Sequence, residues 1–467
     1  MNSSVVGSGV TDEARLRPLN DRPPRRGRYV LYWMQASQRG TDNPALERAV
    51  ERADELGLPV LAVFGLDAAY PEANLRHFAF LVEGLAAARR DLEGRGIRLA
   101  VLRAPPDAAA LTFAAAAALL VCDRGYLPHQ RAWRRHVAEE APCPVEQVEG
   151  DVVVPLEAAS RKAEWAAATL RPKILRLRDR FLGAAEAGAS RRPRGPRRDS
   201  LAIRVPGNVR KLDARLLDDL SVDRSVPPVP GTRGGTDEAL VRLERFAAGP
   251  LARYADENRD PNTEAHSGLA PWLHFGQVSP VRIALAVRAA RAPQAAKEAF
   301  LEELIVRREL ACNLALFNER CGRFDGVPDW ARTTLAAHAR DLRPHRYAIA
   351  DLEAARTHDP YWNAAMRAMR LTGFLHNHLR MYWGKKILEW SRTPEEGFRA
   401  ALALNNRWFL DGRDPNSLAG VAWVFGTHDR AWPERPIFGK IRYMNDAGLR
   451  RKFDADGWAA GVPALDS

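Results

Sequence analysis

The sequence predicts a two-part protein, with an α/β domain of the doubly wound type at residues 27–185 and an all-α domain at residues 236–467. Three observations support this division. Short apolar runs alternate with amphipathic segments in the first part, a proline-, glycine- and arginine-rich stretch follows, and mainly helical periodicity remains beyond it. A chain of 467 residues also exceeds what one hydrophobic core usually organises.

The first part contains four apolar runs with the length of buried strands. They are Tyr29–Met34, Pro59–Leu66, Arg98–Leu102 and Leu119–Asp123. Amphipathic helices are predicted between and after these strands, at Asn43–Leu56, Leu75–Arg95, Ala108–Ala118 and Gln130–Glu140. This alternation is typical of a parallel sheet covered on both faces.

Parallel sheets bind ligands at the carboxyl ends of their strands. The loops after Met34, Leu66 and Leu102 are therefore candidates for a small-molecule site. Neither a GxGxxG fingerprint nor a P-loop is present to name the ligand.

Two segments lack these patterns. Residues 1–26 carry Asp12 and Glu13 where a signal peptide needs an apolar run, and we predict a disordered tail. Residues 186–235 contain the basic run 191–198 and the proline-rich run 226–231, which indicate a linker. The arginines of this linker are open to two interpretations, a phosphate-contacting arm or a solvated connector.

Helical periodicity dominates after Thr236. The predicted helices are Glu238–Phe246, Pro280–Arg291, Ala295–Phe317, Pro360–Leu371, Leu375–Trp390 and Pro394–Trp408. The sequence shows no repeat and no run of 18 uncharged apolar residues, so we expect a soluble protein without a membrane span.

Composition narrows the range of partners and sites that this protein can be expected to have. The formal charge is +12, from 70 Lys and Arg against 58 Asp and Glu, which favours a polyanionic partner. The four cysteines are far apart and form no CxxC or Cys/His cluster. Disulfide scaffolds and metal sites are therefore not expected, and a reducing cytoplasm fits best.

Six tryptophans lie among arginines, histidines and asparagines at residues 362–432. Trp383 and Trp390 are seven residues apart on one predicted helix, hence on one face and about 10.5 Å apart along its axis. Such a stripe is typical of a packed core, but this density beside polar groups also suits a site that stacks planar rings or moves electrons. The spacing leaves both interpretations open.

Three other segments carry candidate chemistry. The turn at Ser267–Leu269 precedes an aromatic run and is either a phosphate-binding nest or an ordinary turn before a helix. Glu303 and Arg307 are placed for an i,i+4 ion pair on a charged helix. Trp423 and Trp432 bracket a loop with Arg430, which is either a base-stacking platform or a loop anchored in the core.

These motifs together resemble the class II cyclobutane pyrimidine dimer photolyases. The runs that carry the resemblance are Tyr32–Gln35, Ser267–Gln277, Glu303–Val306, Thr357–Asn363, Arg380–Trp383, Lys385–Trp390, Asp411–Asn416 and His428–Trp432. The likeness covers nearly all of residues 28–457 and is most specific after residue 250.

The resemblance implies the photolyase/cryptochrome fold, with an antenna domain, a linker and a helical domain that holds reduced, anionic FAD. A second antenna chromophore of deazaflavin or folate type is a further expectation. The residues implied to contact FAD are Tyr254, Ser267, Gly268, Leu269, Asn377, Arg380, Asp411 and Asp414, with Asn405 facing flavin N5.

The resemblance also implies the reaction, which is light-driven repair of pyrimidine dimers in double-stranded DNA by a monomer. The implied substrate contacts are Glu303, Met381, Trp423 and Trp432, with Arg307 and Arg430 at the DNA. Trp390, Trp383 and Trp362 are implied to form the electron-transfer chain that reduces the flavin.

The sequence departs from the class II pattern at three places, and two other functions remain as alternatives. Arg307 stands where some members have tryptophan, Ala270 stands where serine is common, and the Trp423–Trp432 loop is one residue shorter than in some relatives. A cryptochrome-like photoreceptor would favour a long extension after Trp458, where about ten residues follow. A non-catalytic nucleic-acid-binding protein would need the charge but not the tryptophan chain.

Overall fold

The apolar runs of the first part form one six-stranded sheet in the order β1-β6-β5-β2-β3-β4. In a computed structural model that describes residues 12–189 and 195–465, the strands are β1 Leu16–Pro18, β2 Tyr29–Trp33, β3 Val60–Gly65, β4 Arg98–Leu102, β5 Ala117–Asp123 and β6 Val145–Val148. Strands β2 to β6 pair in parallel, whereas β1 runs antiparallel to β6. The predicted doubly wound sheet is confirmed.

Helices cover both faces of this sheet. They are α1 Pro44–Leu56, α2 Leu75–Glu93, α3 Pro106–Ala114 and α4 Pro128–Glu140. Two more helices follow, α5 Leu156–Ala159 and α6 Ala167–Ala189, and their buried residues pack against the second part of the chain. Ala117 and Ala118, which the alanine run predicts to be helical, instead begin β5 as buried residues, with Ala117 paired with Tyr29. Pairing with β2 and burial in the sheet outweigh the helix propensity of two alanines, which is high for the residue type but amounts to less than about 1 kcal/mol per residue.

The segment before β2 differs from the expected disordered tail wherever the structure describes it. Leu16–Pro18 pairs with β6, and the buried Arg15 donates hydrogen bonds to the carbonyl oxygens of Glu149, Val152 and Val153. Composition misses this because backbone carbonyls, rather than apolar side chains, supply the partners. Residues 1–11 lie outside the described residues.

The region 195–235 runs along the α/β part and protects its edge strand. The backbone N–H of Val101 on β4 donates to the Asn208 side chain, and the N–H of Val209 donates to the carbonyl of Val101. A short helix, α7 Ala214–Asp218, follows. Arg191, Arg192 and Arg194 lie outside the described residues, so the two interpretations of the linker arginines both stay open.

The second part is helical, as predicted, and the described residues after Thr236 contain no strand. Its helices are α8 Thr236–Ala248, α9 Tyr254–Glu257, α10 Ala270–His274, α11 Pro280–Ala289, α12 Gln294–Leu301, α13 Arg308–Phe317, α14 Asp329–Ala337, α15 Ile349–Glu353, α16 Pro360–Thr372, α17 Asn377–Trp390, α18 Pro394–Trp408, α19 Pro415–Val424, α20 Asp446–Arg450 and α21 Ala455–Gly461. A π-helical segment, Glu302–Arg307, joins α12 to α13. The periodicity at Ala295–Phe317 had predicted one regular helix.

Helix α2 holds the two parts together. The buried Arg76 donates to the carbonyl oxygens of Met369, Arg370 and Trp408 in the helical half. Gly84 lets Gln277 approach so closely that an added Cβ would meet its side-chain nitrogen at 2.0 Å. These contacts place the helical half over the carboxyl ends of the central strands. None of the described helices is long and apolar enough to cross a membrane.

Candidate functional site

A charged cluster forms where α17, α18 and the turn before α19 meet. Arg380 on α17 binds the Asp411 carboxylate with two nitrogens, each at 3.1 Å, and donates to the Asn405 side-chain oxygen at 3.0 Å. The Arg380 guanidinium also lies 3.7 Å from the centre of the Phe409 ring. Three residues predicted at the flavin are thus in direct contact, and the planar fork of Arg380 orients the Asn405 amide.

Asn405 is buried and is held by a second partner. Its side-chain nitrogen donates to the Asn406 oxygen at 2.9 Å, and the same oxygen accepts the backbone N–H of Arg413 at 3.0 Å. The Asn406 nitrogen in turn donates to Glu72 of the α/β half at 2.6 Å. This relay fixes which edge of the Asn405 amide is the donor. Asn406 was missed as a site residue because sequence shows two equivalent neighbouring asparagines.

Three buried tryptophans form a continuous column beside this cluster. Trp362 from α16 lies between Trp383 and Trp390, with ring centres 6.4 Å from Trp383 at an interplanar angle of 8° and 5.4 Å from Trp390. The Trp362 indole N–H donates to the Trp383 carbonyl at 3.0 Å. The rings belong to the hydrophobic core, so packing and electron transfer are compatible for the same residues.

The column has two distinct ends. At the inner end Trp383 contacts Phe409 with ring centres 6.3 Å apart, and Phe409 is the ring that stacks under Arg380. At the outer end Tyr347 and His358 pack edge-on against Trp390, at 5.2 and 5.5 Å. Phe409 therefore connects the column to the charged cluster, a role that one phenylalanine in a helical sequence does not reveal.

Glu303 and Tyr254 meet on another wall of the helical half. Tyr254 packs edge-on against Phe300 with ring centres 5.2 Å apart. Burial raises the pKa of Tyr254, and the nearby Glu303 carboxylate raises it further. Desolvation of its carboxyl group also raises the pKa of Glu303, although Arg307 opposes the shift.

The π-helical segment sets the direction of Glu303. The expected i,i+4 ion pair between Glu303 and Arg307 does not form as a salt bridge. Arg307 instead lies 3.4 Å from Glu302, and its side chain is half exposed. The wider turn rotates Glu303 away from its expected neighbour, and π-helical insertions of this kind are frequent at functional sites.

The turn before α10, predicted as either a phosphate-binding nest or an ordinary turn, contains a glycine in the left-handed conformation. Gly268 has a φ of +62°, and a Cβ there would lie 2.7 Å from the Arg242 guanidinium, so the turn requires glycine. The N–H of Leu269 points at the Ser267 hydroxyl oxygen at 3.4 Å. Arg242 was missed in the sequence because it lies on α8, 26 positions before Gly268, but it adds positive charge where a phosphate would bind.

The two predicted substrate tryptophans, Trp423 and Trp432, both lie against the side chain of Arg442. Arg442 lies 4.1 Å from the Trp432 ring and 5.4 Å from the Trp423 ring, and it pairs with Asp429 at 2.9 Å. On α17, the fully buried Lys385 lies 4.8 Å from the Trp423 ring. Trp423 and Trp432 are only half-buried, so they retain surface that an inserted base can contact.

The other predicted site residues are less closely assembled. Asn377 opens α17 and is exposed, one turn before Arg380. Met381 is half-buried near Gly420 of α19, and Arg430 is exposed, 5.1 Å from the Trp432 ring. Asp414 does not join the Arg380 cluster, because its oxygens bind the Asn416 N–H and lie 3.4 Å from His274.

A cavity lies where the α/β sheet predicts one. Met34 and Gly65 at the ends of β2 and β3 line it, and residues from the helical half, including Phe275 and Arg413, close it. Its empty space is about 1010 Å³, part of which opens to solvent. A cavity between the two halves therefore lies where the strand ends predict a small-molecule site, and that it binds a small molecule stays a prediction.

Comparison with known proteins identifies the family. A deoxyribodipyrimidine photo-lyase of Methanothermobacter thermautotrophicus is 45% identical over 452 residues, which are 97% of this chain and 98% of that protein. A protein of the same name from Potorous tridactylus is 38% identical over 91% of this chain and 79% of its own length. The chain belongs to the DNA photolyase family.

A family model described as DNA photolyase matches residues 30–193, most of which form the α/β part. Solved structures of photolyases and cryptochromes share the fold. A bacterial class III photolyase from Agrobacterium tumefaciens has a TM-score of 0.69 at 21% identity and covers 94% of this chain and 86% of its own. A Synechocystis cryptochrome has a TM-score of 0.71 at 17% identity, over 95% and 89%. The predicted photolyase/cryptochrome fold is confirmed.

The buried Lys385 predicts that the stability of this photolyase depends on pH. Burial lowers the pKa of Lys385 to about 7, opposed by Asp429 and reinforced by Arg442, and its ammonium has the Val424 carbonyl as hydrogen-bond acceptor at 2.6 Å. The folded pKa lies below the ordinary 10.5. The unfolded chain therefore binds more protons between these pH values, and the free energy of unfolding rises with pH across this window.

We expect Lys385→Met to raise the free energy of unfolding by about 3 kcal/mol below pH 7. The gain should shrink as the pH rises towards 10.5, because the wild type then buries a neutral amine. Chemical denaturation at several pH values measures it. Lys386→Met, which removes an ammonium paired with Glu389 at 2.8 Å, is the control. A pH-independent gain would contradict the assignment.

Proposed function

We propose that this protein is a photolyase that repairs cyclobutane pyrimidine dimers in DNA by light-driven electron transfer from reduced FAD held in the helical half. The observation that carries the proposal is the tryptophan column, which ends through Phe409 on the Arg380–Asp411–Asn405 cluster. Sequence identity of 36–45% to four proteins named deoxyribodipyrimidine photo-lyase supports it.

The residues present fit FAD. The left-handed Gly268 turn and Arg242 offer backbone amides and positive charge to phosphates, and the Arg380–Asp411 pair offers a rigid polar edge to a heterocycle. When bound, reduced FAD supplies an electron under light. The implied contacts of Tyr254, Asn377 and Asp414 remain proposals, and Asp414 requires a rearrangement away from His274 to reach the cluster.

The chain's own residues divide the remaining work. Trp390, Trp362 and Trp383 provide closely spaced rings through which an electron moves from the protein exterior towards the cluster. Phe409 excludes water between Trp383 and Arg380. Arg380 fixes the Asn405 amide, so that the edge presented to the cofactor keeps one hydrogen-bonding pattern.

The substrate face uses different residues. Trp423 and Trp432 stack on the dimer after it leaves the duplex, and Met381 lines the same space. Glu303 is exposed on the π-helical segment and offers its carboxyl group to the pyrimidine dimer as a hydrogen-bonding partner. Arg307 and Arg430 are exposed or half-exposed cations for DNA phosphates.

We propose that the cavity at the strand ends holds a second, light-harvesting chromophore of deazaflavin or folate type. We also propose that the protein acts as a monomer in the cytoplasm, where its four buried, free cysteines stay reduced.

An absorption spectrum of the purified protein, followed by repair of dimer-containing DNA in light and in darkness, tests the function. We expect a bound flavin and repair only in light. A flavin-containing protein that absorbs light but leaves dimers intact would instead be a cryptochrome-like photoreceptor. The fold that this chain shares with the Synechocystis cryptochrome is the reason to consider this alternative. A colourless protein would contradict both.

Asn405→Leu should change the redox behaviour of the bound flavin without releasing it. The substitution removes the acceptor of Arg380 and the donor to Asn406, whereas the Arg380–Asp411 pair remains. We expect near-normal FAD content and faster reoxidation in air, by about tenfold, equivalent to about 1.4 kcal/mol. Wild-type reoxidation kinetics would move the role to Asn406, which Asn406→Leu would then test.

A further inference from the structure

The cavity between the two halves contains a buried cation that forms no salt bridge with the described residues, although Glu72 and Asp414 lie near it. Arg413 is 7% exposed, and no carboxylate lies within ion-pair distance of its guanidinium among the described residues. Its Nε and Nη2 atoms have no hydrogen-bond partner. A buried guanidinium with unused donors is costly, so its presence calls for a partner that the chain itself does not provide.

The neighbouring acids are occupied elsewhere. Glu72 accepts the hydrogen bond of Asn406 at 2.6 Å, and Asp414 binds the N–H of Asn416 and contacts His274. Burial lowers the pKa of Arg413 to about 10, so the group is cationic near neutrality. The nearby His77 is neutral, because burial and then Arg413 hold its pKa well below the ordinary value.

Aromatic rings form part of the surroundings of Arg413. Two other cations line the cavity, but Arg124 pairs with Glu149 and Glu157, and Arg308 donates to the Asp151 carbonyl oxygen. The Arg413 guanidinium lies 5.5 Å from the Tyr70 ring and 6.0 Å from the Phe275 ring. Trp133, Phe78 and Phe64 line other parts of the same cavity. Such walls suit a planar heterocycle, while a charged donor at one edge selects the sign of its charge.

The backbone of Arg413 is held in an unusual conformation. Its φ is +66°, in the left-handed region that residues other than glycine rarely adopt. The backbone N–H is fixed by the Asn406 side chain at 3.0 Å. The turn therefore directs this side chain into the cavity and remains anchored when the side chain is changed.

We propose that Arg413 is the anion-binding residue of this cavity, which selects a planar chromophore carrying negative charge on the ring edge that faces the helical half. The proposal rests on the proposed function for the light-harvesting role of the ligand, but the charge selectivity can be measured without light. An uncharged ring of the same shape would leave the Arg413 donors unsatisfied, so it should bind more weakly.

Two matched probes test this selectivity on the FAD-loaded protein. 8-Hydroxy-5-deazariboflavin is used at a pH at which its ring hydroxyl is ionised, and 5-deazariboflavin lacks that hydroxyl. We expect the anionic probe to bind about tenfold to a hundredfold more tightly, corresponding to about 1.4–2.8 kcal/mol. Arg413→Met should reduce the ratio to about threefold or less, and Arg413→Lys should restore part of it.

Arg407→Met is the matched control. It removes a guanidinium that pairs with Asp223 and Glu353 outside the cavity, and it should leave the ratio unchanged. Equal affinity of wild type for both probes, binding of neither probe, or full selectivity in Arg413→Met would each overturn the proposal. If Arg413→Met does not fold, the wild-type ratio and the pKa of the bound probe hydroxyl decide, since Arg413 should lower that pKa.

Two readouts separate this inference from the proposed function. The FAD content of the wild type and its repair of dimers under direct excitation of FAD are measured separately from probe binding. Light-dependent repair without charge selectivity would reject the Arg413 assignment alone. Charge selectivity without repair would reject the proposed function alone.

Discussion

Trp383→Phe should slow the light-driven reduction of oxidised FAD by more than about tenfold, a barrier increase above 1.4 kcal/mol. Trp383 is the ring of the column next to Phe409 and the Arg380 cluster, and the neighbouring Trp362 ring is nearly parallel to it, with ring centres 6.4 Å apart. Phenylalanine keeps most of the packing but is much harder to oxidise. Absorbance of the bound flavin under continuous illumination measures the effect.

Chemically reduced Trp383→Phe protein should still repair dimers, because the column is needed only to reduce the flavin. Trp330→Phe is a suitable control, since Trp330 packs against the same core outside the column. Photoreduction of Trp383→Phe at the wild-type rate would show that the column is packing only. Loss of repair by the pre-reduced variant would show that the substitution disturbs the site itself.

Trp423→Ala should weaken binding to dimer-containing DNA by about tenfold to a hundredfold and leave undamaged DNA nearly unaffected. Stacking on an aromatic side chain contributes about 1–3 kcal/mol per base, which converts to this range at 1.4 kcal/mol per decade. The half-buried Trp423 ring contacts Lys385 and Arg442. We expect its remaining surface to contact a base only after that base has left the duplex. Titrations with both DNAs at several salt concentrations measure the two affinities.

Arg430→Ala provides the contrast. Arg430 is exposed beside Trp432, and a phosphate contact there would strengthen binding to damaged and undamaged DNA alike and would steepen the salt dependence. Its removal should therefore weaken both complexes by a similar factor. Equal losses on the two DNAs for Trp423→Ala would instead mean that Trp423 anchors the loop and that the dimer binds elsewhere.

The charged cluster shows what short sequence motifs can predict about a site and what they cannot. Arg380, Asn405 and Asp411 were predicted at one site from separate short runs, and the structure brings them into contact. Asp414 was predicted with them from the same run as Asp411, yet it faces His274 and the cavity between the halves. Side chains three positions apart in a tight turn point in different directions, and local sequence does not specify which direction faces the ligand.

Periodicity by itself determined that the first part is a parallel α/β sheet and that the second part is helical, because burial alternates with the period of each element. Tertiary structure alone decided that Trp362 lies between Trp383 and Trp390, that Arg307 pairs with Glu302, and that Arg413 is buried with unused hydrogen-bond donors. These relations depend on contacts between distant segments and on one π-helical insertion, which a pattern of hydrophobic residues does not encode.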